Sequence, residues 1–469
     1  MYFEQFYLGC LAHASYMLGS DGEAVVVDPQ RDVDLYLKAA QEHGLTIRHI
    51  FETHLHADFV SGHRELAART GAQIYFGAKA GVTFPHVPVH DGFELRFGQA
   101  RITVLETPGH TLESICLLVT DPQVDSEKPT KPWAVLTGDT LFLGDVGRPD
   151  LSRSFTPEQL AGMLYESLHN KLLNLPDDVL VYPAHGAGSL CGRNMRAERS
   201  STIGTERLTN YALQIQNREE FVKQLTSNLP ARPDYFLQDA EINREGAPAL
   251  SDLPDLKAIS PLELKTMLEG DDDVIALDIR PGEKFAAGHV PGSINIALSG
   301  QFATWAGTIL GLSSRPVLIA DSPEQVAEAR LRLARVGIEA ERGYLEGGVA
   351  GWKQAGFELA QLPEIEVQEL QRQLSDDKIR VLDVRRESEW MAGHVDGAGW
   401  WPLDRFRISP PEVDLNLPLA VHCQSGYRSM IACSLLQRAG FQNVINVSGG
   451  LAAWQQAQLP VATGAPVEA

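Results

Sequence analysis

The sequence predicts a multidomain chain of mixed α/β and α+β class, on three observations. Strand-like apolar runs alternate with helical periodicity along the chain. In the first half, clusters rich in His and Asp follow successive strand-like runs. In the second half, a set of short motifs recurs after about 100 residues, the size of one small domain. The length of 469 residues agrees with two to four domains, at about 100–200 residues each.

The elements of the first half follow in order. Glu23–Val27 is an apolar strand that ends in Asp28-Pro29. Val33–His43 has helical periodicity and stops at Gly44. Arg48–Glu52 is a short strand running into Thr53-His54-Leu55-His56-Ala57-Asp58. Strand-like runs follow at Gln73–Phe76, Phe93–Phe97, Arg101–Glu106, Ser114–Thr120 and Trp133–Thr137. Thr156 caps a helix over Pro157–Asn170. Val179–Tyr182 leads into Pro183-Ala184-His185-Gly186. Helical pattern dominates from Glu206 to Ser227, and the proline-punctuated stretch Leu229–Leu256 reads as a linker or an extended wrapping segment.

The repeat is carried by Ile275–Arg280 with Arg380–Arg385, Gly288-His289-Val290 with Gly393-His394-Val395, and Gly347-Gly348 with Gly449-Gly450. Pro316–Ala320 with Pro418–His422 completes the set and puts Asp321 at the place of Cys423. Each unit alternates short strands with helices, the pattern of a parallel sheet covered on both faces.

Composition narrows the classes. Apolar residues at 44% and charged residues at 22% suit a globular chain and exclude a disordered or fibrous one. No apolar run approaches the length of about 18 residues that a spanning helix needs. Met1-Tyr2-Phe3-Glu4-Gln5 has neither the basic segment nor the apolar core of a secretory signal. Lys and Arg number 40 against 61 Asp and Glu, a formal net charge of −21. Such a surface repels nucleic acid and anionic membrane, while an anionic substrate needs only a local cationic pocket. Cys10, Cys116, Cys191, Cys423 and Cys433 are too few for a disulfide framework, and a reducing cytoplasm is expected.

Four clusters in the first half carry chemistry: His54-Leu55-His56-Ala57-Asp58, Pro108-Gly109-His110-Thr111, Gly138-Asp139-Thr140 and Ala184-His185-Gly186. Loops at the same ends of successive strands converge on one point. Imidazole and carboxylate are transition-metal ligands, and glycine beside them lets the backbone turn tightly. This order of motifs resembles the metallo-β-lactamase superfamily over about residues 1–240. The resemblance implies an αβ/βα sandwich with a metal at one edge. Hydrolases of that superfamily, glyoxalase II among them, carry His directly after the motif Asp; this chain has Phe59, which cannot ligate.

The pattern is similar to the persulfide dioxygenase branch. That resemblance implies one Fe(II) per chain on His54, His110 and Asp139, a two-His, one-carboxylate set. It makes His56, Asp58 and His185 pocket groups that orient the ligands. Arg148, in Gly147-Arg148-Pro149-Asp150, would hold a substrate carboxylate or support the active-site loop. The alternative is Zn(II) on His54, His56 and His110, with a bound hydroxide and thioester hydrolysis of the glyoxalase II kind. Cys191 handles sulfur or is a buried structural thiol.

Cys423-Gln424-Ser425-Gly426-Tyr427-Arg428-Ser429 follows an apolar strand and opens a helix. Loop N–H groups, the helix N-terminus and the Arg428 charge all favour a thiolate or persulfide at Cys423. The loop resembles rhodanese, whose Cys carries sulfane sulfur. In the first repeat Asp321 cannot do this, and the following residues lack the Gly and the Arg. The expected layout is a metal domain over 1–245, a linker over 246–257, an inactive rhodanese-like domain over 258–360 and an active one over 364–462. The expected reaction partners are a small thiol persulfide of glutathione or coenzyme A type, O2, sulfite and thiosulfate. A homo-oligomer, dimer or tetramer, is expected too.

Overall fold

A computed structural model of the chain describes residues 1–122, 130–227, 229, 231–271, 273–411 and 417–466. It divides into two compact units, Met1–Leu253 with Ala334–Gly337, and Pro254–Leu333 with Ile338–Ala469.

The first unit holds two six-stranded sheets. One is formed, in spatial order, by β1 (Tyr2–Leu8), β2 (His13–Ser20), β3 (Glu23–Val27), β4 (Thr46–Phe51), β5 (Gln73–Gly77) and β6 (Val87–Val89). The other is formed by β7 (Glu94–Phe97), β8 (Ala100–Glu106), β9 (Ile115–Thr120), β10 (Ala134–Gly138), β11 (Leu180–Pro183) and β12 (Ser201–Thr202). Alternation along each strand sorts side chains between two cores. Val25 and Val27 of β3 pack with Leu117 and Val119 of β9 between the sheets. Ala24 and Val26 turn the other way, into a cluster with Tyr36, Ala39 and Leu66 of two covering helices. On the second sheet, Val135 and Val181 pack against Ala161, Leu164 and Leu168 of the helix Pro157–Asn170. The layers are helices, sheet, sheet, helices, the sandwich that the resemblance implied. Each such buried Val or Leu side chain contributes about 1.5–3 kcal/mol.

Most predicted strands lie within a residue or two of their expected bounds. The helix Pro157–Asn170 begins at Thr156 with a capping box to Gln159. Two features differ. β1 and β2, for which the sequence analysis assigned no element, form an antiparallel edge pair. The segment read as a linker or wrapping strand contains a helix, Phe236–Glu245. Its inward face is Phe236, Asp239 and Asn243, at three- and four-residue spacing and all buried, so two of its three inward residues are polar. A single apolar residue on a mostly polar inward face sets no apolar period, so the pattern was silent.

The second unit holds two five-stranded sheets of one topology. The first joins β13 (Ala258–Ile259), β14 (Ala276–Asp278), β15 (Ile294–Asn295), β16 (Val317–Ile319) and β17 (Gly343–Leu345) in the order 13-17-16-14-15. The second uses β18 (Glu364–Ile365), β19 (Arg380–Asp383), β21 (Gly399–Trp400), β22 (Leu419–His422) and β23 (Val444–Val447) in the order 18-23-22-19-21, while β20 (His394–Val395) belongs to a separate two-stranded sheet. Every pairing within the two five-stranded sheets is parallel. The repeat in sequence is therefore a repeat in structure. Asp278 and Asp383 each clamp an Arg two residues on, and Arg280 and Arg385 reach the carbonyls of Gly288 and Gly393.

Register corrects one alignment. Asp278 pairs with Ile319 and Asp383 with His422, so Ala320, not Asp321, stands where Cys423 stands. Two close contacts agree: a Cβ on Gly348 would meet the Ala320 carbonyl oxygen at 2.3 Å, and one on Gly450 the Cys423 carbonyl oxygen at 2.4 Å. The two apolar runs match equally well in two registers one residue apart; only the pairing fixes the offset.

Among the described residues, no helix is long and apolar enough to cross a membrane.

Candidate functional site

The loops after β4, β8, β10 and β11 bring the predicted clusters to one edge of the sandwich. Donor atoms of His54, His110 and Asp139 lie within 4.8 Å of one another, all buried. His54 Nε2 is 3.8 Å and His110 Nε2 3.4 Å from Asp139 Oδ2. The other ring nitrogens fix the tautomers. His110 Nδ1 donates to the Arg148 carbonyl at 2.9 Å, and His54 Nδ1 lies 2.9 Å from the Thr53 hydroxyl. That hydroxyl itself donates to Asp28, so it accepts from His54. Each Nε2 is then left with a lone pair, the form in which imidazole binds a metal.

The electrostatics agree. Burial pushes His54 and His110 below the usual histidine range, which keeps both rings neutral. Burial works against the charge of Asp139, but His185, in hydrogen-bond contact with it, outweighs this and holds the carboxyl well below its ordinary range. His110 Nε2 is buried and has no hydrogen-bond partner among the described residues. A buried polar atom without a partner is costly, and a cation at this point satisfies it. Two neutral imidazoles and one carboxylate fit a divalent iron.

The remaining predicted residues surround this set. His185 Nδ1 donates to Asp139 Oδ1 at 2.8 Å, and its Nε2 is 2.9 Å from Asp58. His56 is adjacent in space, but its Nε2 faces Asp28 at 3.1 Å and Glu52 at 3.4 Å. Burial lowers its pKa, and those two carboxylates more than offset this, raising it to about 10. Arg148 is buried and forks onto Asp150 at 2.6 and 2.8 Å, with Nη1 on the Leu190 carbonyl. It braces the loop whose carbonyl orients His110. Cys191 joins Asp58 and His185 in a second buried donor group, and burial keeps its thiol protonated.

Asn243 is a site residue that the sequence analysis missed. From the helix Phe236–Glu245 its amide donates to the His56 and Phe59 carbonyls and accepts from Ser61 N–H, all at 2.8 Å. It fastens the loop 56–61, which carries Asp58. An isolated Asn in a proline-flanked segment carries no signal of this kind. Glu52 and Asp28, which grip His56, were likewise not singled out.

In the second unit, Cys423 directly follows β22 and is buried. Gly426 N–H donates to its Sγ at 3.1 Å, from the residue that caps the helix Tyr427–Arg438. Gly426 has φ of 108°, which a side chain rarely adopts. Gln424 lies 3.4 Å from Arg385. Tyr427 donates to the Ala297 carbonyl, and Ser429 to Asn446. Arg428 is forked onto Glu389 at 2.6 and 2.7 Å. Half-buried Gln424 and exposed Ser425 complete the loop that covers the sulfur.

Residues 8–185 match the metallo-beta-lactamase superfamily, and residues 260–355 and 366–457 each match the rhodanese-like domain. The chain is 31% identical over 225 residues to persulfide dioxygenase ETHE1, mitochondrial, of Homo sapiens, covering 46% of this chain and 77% of that protein. It is 35% identical over 166 residues to hydroxyacylglutathione hydrolase of Rhodospirillum rubrum, covering 35% of this chain and 57% of that protein. Among solved structures, a metallo-beta-lactamase from Staphylococcus aureus subsp. aureus COL is 34% identical, with a TM-score of 0.65. The match covers 73% of this chain and 98% of that one.

Proposed function

The chain belongs to the metallo-beta-lactamase superfamily through a domain homologous to persulfide dioxygenase, with two rhodanese-like domains behind it, and on that premise we propose a non-haem Fe(II) persulfide dioxygenase coupled to sulfur transfer. The observation that carries this is the convergence of His54, His110 and Asp139. The substrate is a small thiol persulfide of glutathione or coenzyme A type, and one iron serves each chain. The reaction is RSSH + O2 + H2O → RSH + SO3²⁻ + 2 H⁺, in which the terminal sulfur is oxidised and O2 reduced. Iron bound here supplies the O2 chemistry. His54 and His110 present Nε2, Asp139 adds the carboxylate, and His185 and the Arg148 carbonyl keep Asp139 and His110 in place.

Cys423 then acts as the sulfur carrier. It takes the outer sulfur of a second thiol persulfide, Cys–S⁻ + RSSH → Cys–S–S⁻ + RSH, and gives it to sulfite, Cys–S–S⁻ + SO3²⁻ → Cys–S⁻ + S2O3²⁻, so that in each step the S–S bond broken is replaced by the one formed. Gly426 N–H, aimed at Sγ, favours the anion on either side of each step. The first rhodanese-like domain is inactive, because Ala320 offers a methyl group where sulfur would have to bind. The protein works in the cytoplasm, as a homo-oligomer.

Thioester hydrolysis is the second reading, favoured by the hydrolase relatives. Against it stands Phe59, buried against His13 and His56 where those hydrolases' second metal needs a ligand. The test is metal content and oxygen uptake with glutathione persulfide. One iron per chain is expected, and Asp139→Ala should abolish uptake while rhodanese activity stays. Two zinc ions with full thioesterase activity would contradict the reading.

A further inference from the structure

His13 is the first residue of β2 and had no role in the sequence pattern. Its side chain is fully buried, and neither ring nitrogen has a hydrogen-bond partner among the described residues. A neutral imidazole carries one donor and one acceptor, and a native core rarely leaves both unused. Burial, helped by His185 and His56, holds the ring in that neutral form.

The backbone is arranged to put it there. Ala12, just before it, takes φ of 53°, a conformation costly for any residue with a Cβ. Two hydrogen bonds pin the turn to the His185 loop, Ala14 N–H to the Ala184 carbonyl at 2.7 Å and Gly186 N–H to the Ala12 carbonyl at 2.9 Å. The ring then lies 4.1 Å from Phe59, 5.5 Å from His185 and 5.6 Å from His56, centroid to centroid. An unpartnered donor held by a strained turn beside the pocket groups of the metal centre points to a ligand there.

We propose that His13 is a substrate-contacting residue of the iron domain, its N–H donating a hydrogen bond to the anionic sulfur end of the persulfide. The proposal rests on the dioxygenase reading and adds a recognition element to it. Because His13 reads the sulfur end, it acts equally on any thiol carrier.

The test uses full-length, iron-loaded protein, with glutathione persulfide and coenzyme A persulfide as probes. Binding is measured by titration calorimetry without oxygen, KM and kcat by oxygen uptake, and iron by metal analysis. His13→Phe should keep its iron and weaken anaerobic binding of both persulfides about tenfold, with KM rising more than kcat falls. His13→Gln, which keeps a donor, should recover binding to within about threefold of wild type. Unchanged binding in His13→Phe, no recovery in His13→Gln, or iron lost from both variants overturns the role of His13. In those cases wild type still takes up oxygen and the dioxygenase reading stands. A wild-type chain that binds neither persulfide and consumes no oxygen overturns that reading, and this proposal with it.

Discussion

A methyl group at Gly147 would lie 2.0 Å from the Asp139 carbonyl oxygen and 2.8 Å from His110 Nδ1. The ligand loops therefore touch at a residue with no side chain, and Gly147→Ala must move at least one ligand. Disturbed support of this kind costs about 10–100-fold in metal affinity, so iron retained after dialysis should fall by at least about tenfold. Glu341 offers a test far from the chemistry. Burial, partly opposed by Arg330, raises its carboxyl to about 7, and its Oε1 has no partner among the described residues. The folded state then holds a proton that the unfolded chain releases, so stability falls as pH rises from about 4.5 to about 7. Glu341→Gln should stabilise the second unit by roughly 2 kcal/mol at pH 8 and far less at pH 5, read from urea midpoints. The convergence of His54, His110 and Asp139 was legible because His and Asp in strand-end loops are distinctive. His13 and Asn243 were not, since a single His or Asn looks the same whether it faces solvent or a buried loop.

At the scale of elements, the helix Phe236–Glu245 is the instructive case. Prolines on either side and a mostly polar inward face made it read as a linker, yet Asn243 uses that face to fasten three backbone groups of the loop 56–61. Asn243→Leu leaves two carbonyls and one N–H buried without partners, at about 1–3 kcal/mol for each group. The expected loss is on the order of 3 kcal/mol or more, seen as a lowered urea midpoint of the first unit together with reduced iron retention. A wild-type midpoint would remove the fastening role. Strands with one apolar face, and the capped helix at Thr156, were read closely because period and cap residue are local signals. The β16 and β22 offset was not local: which residue stands opposite Asp278 or Asp383 is decided by pairing across the sheet, and it moved the match for Cys423 from Asp321 to Ala320.

Across the whole molecule, the proposed oxidising site and the proposed sulfur-carrying loop lie in separate compact units. The domain order was legible because a repeat of about 100 residues and a run of four metal motifs are long-range patterns that chance does not produce. The proposed chemistry joins the units through sulfite, made at the iron and consumed at Cys423, so removing one site should leave the other working. Cys423→Ser replaces the thiolate by a hydroxyl that cannot hold a persulfide. The most direct measurement is initial-rate analysis of sulfur products under air, with glutathione persulfide, for wild type and Cys423→Ser, after subtraction of an enzyme-free control. The proposed account predicts equal oxygen uptake in both, with thiosulfate from wild type and accumulating sulfite from the variant. Thiosulfate formed by the variant as fast as by wild type would contradict the account, as would loss of oxygen uptake when Cys423 is replaced.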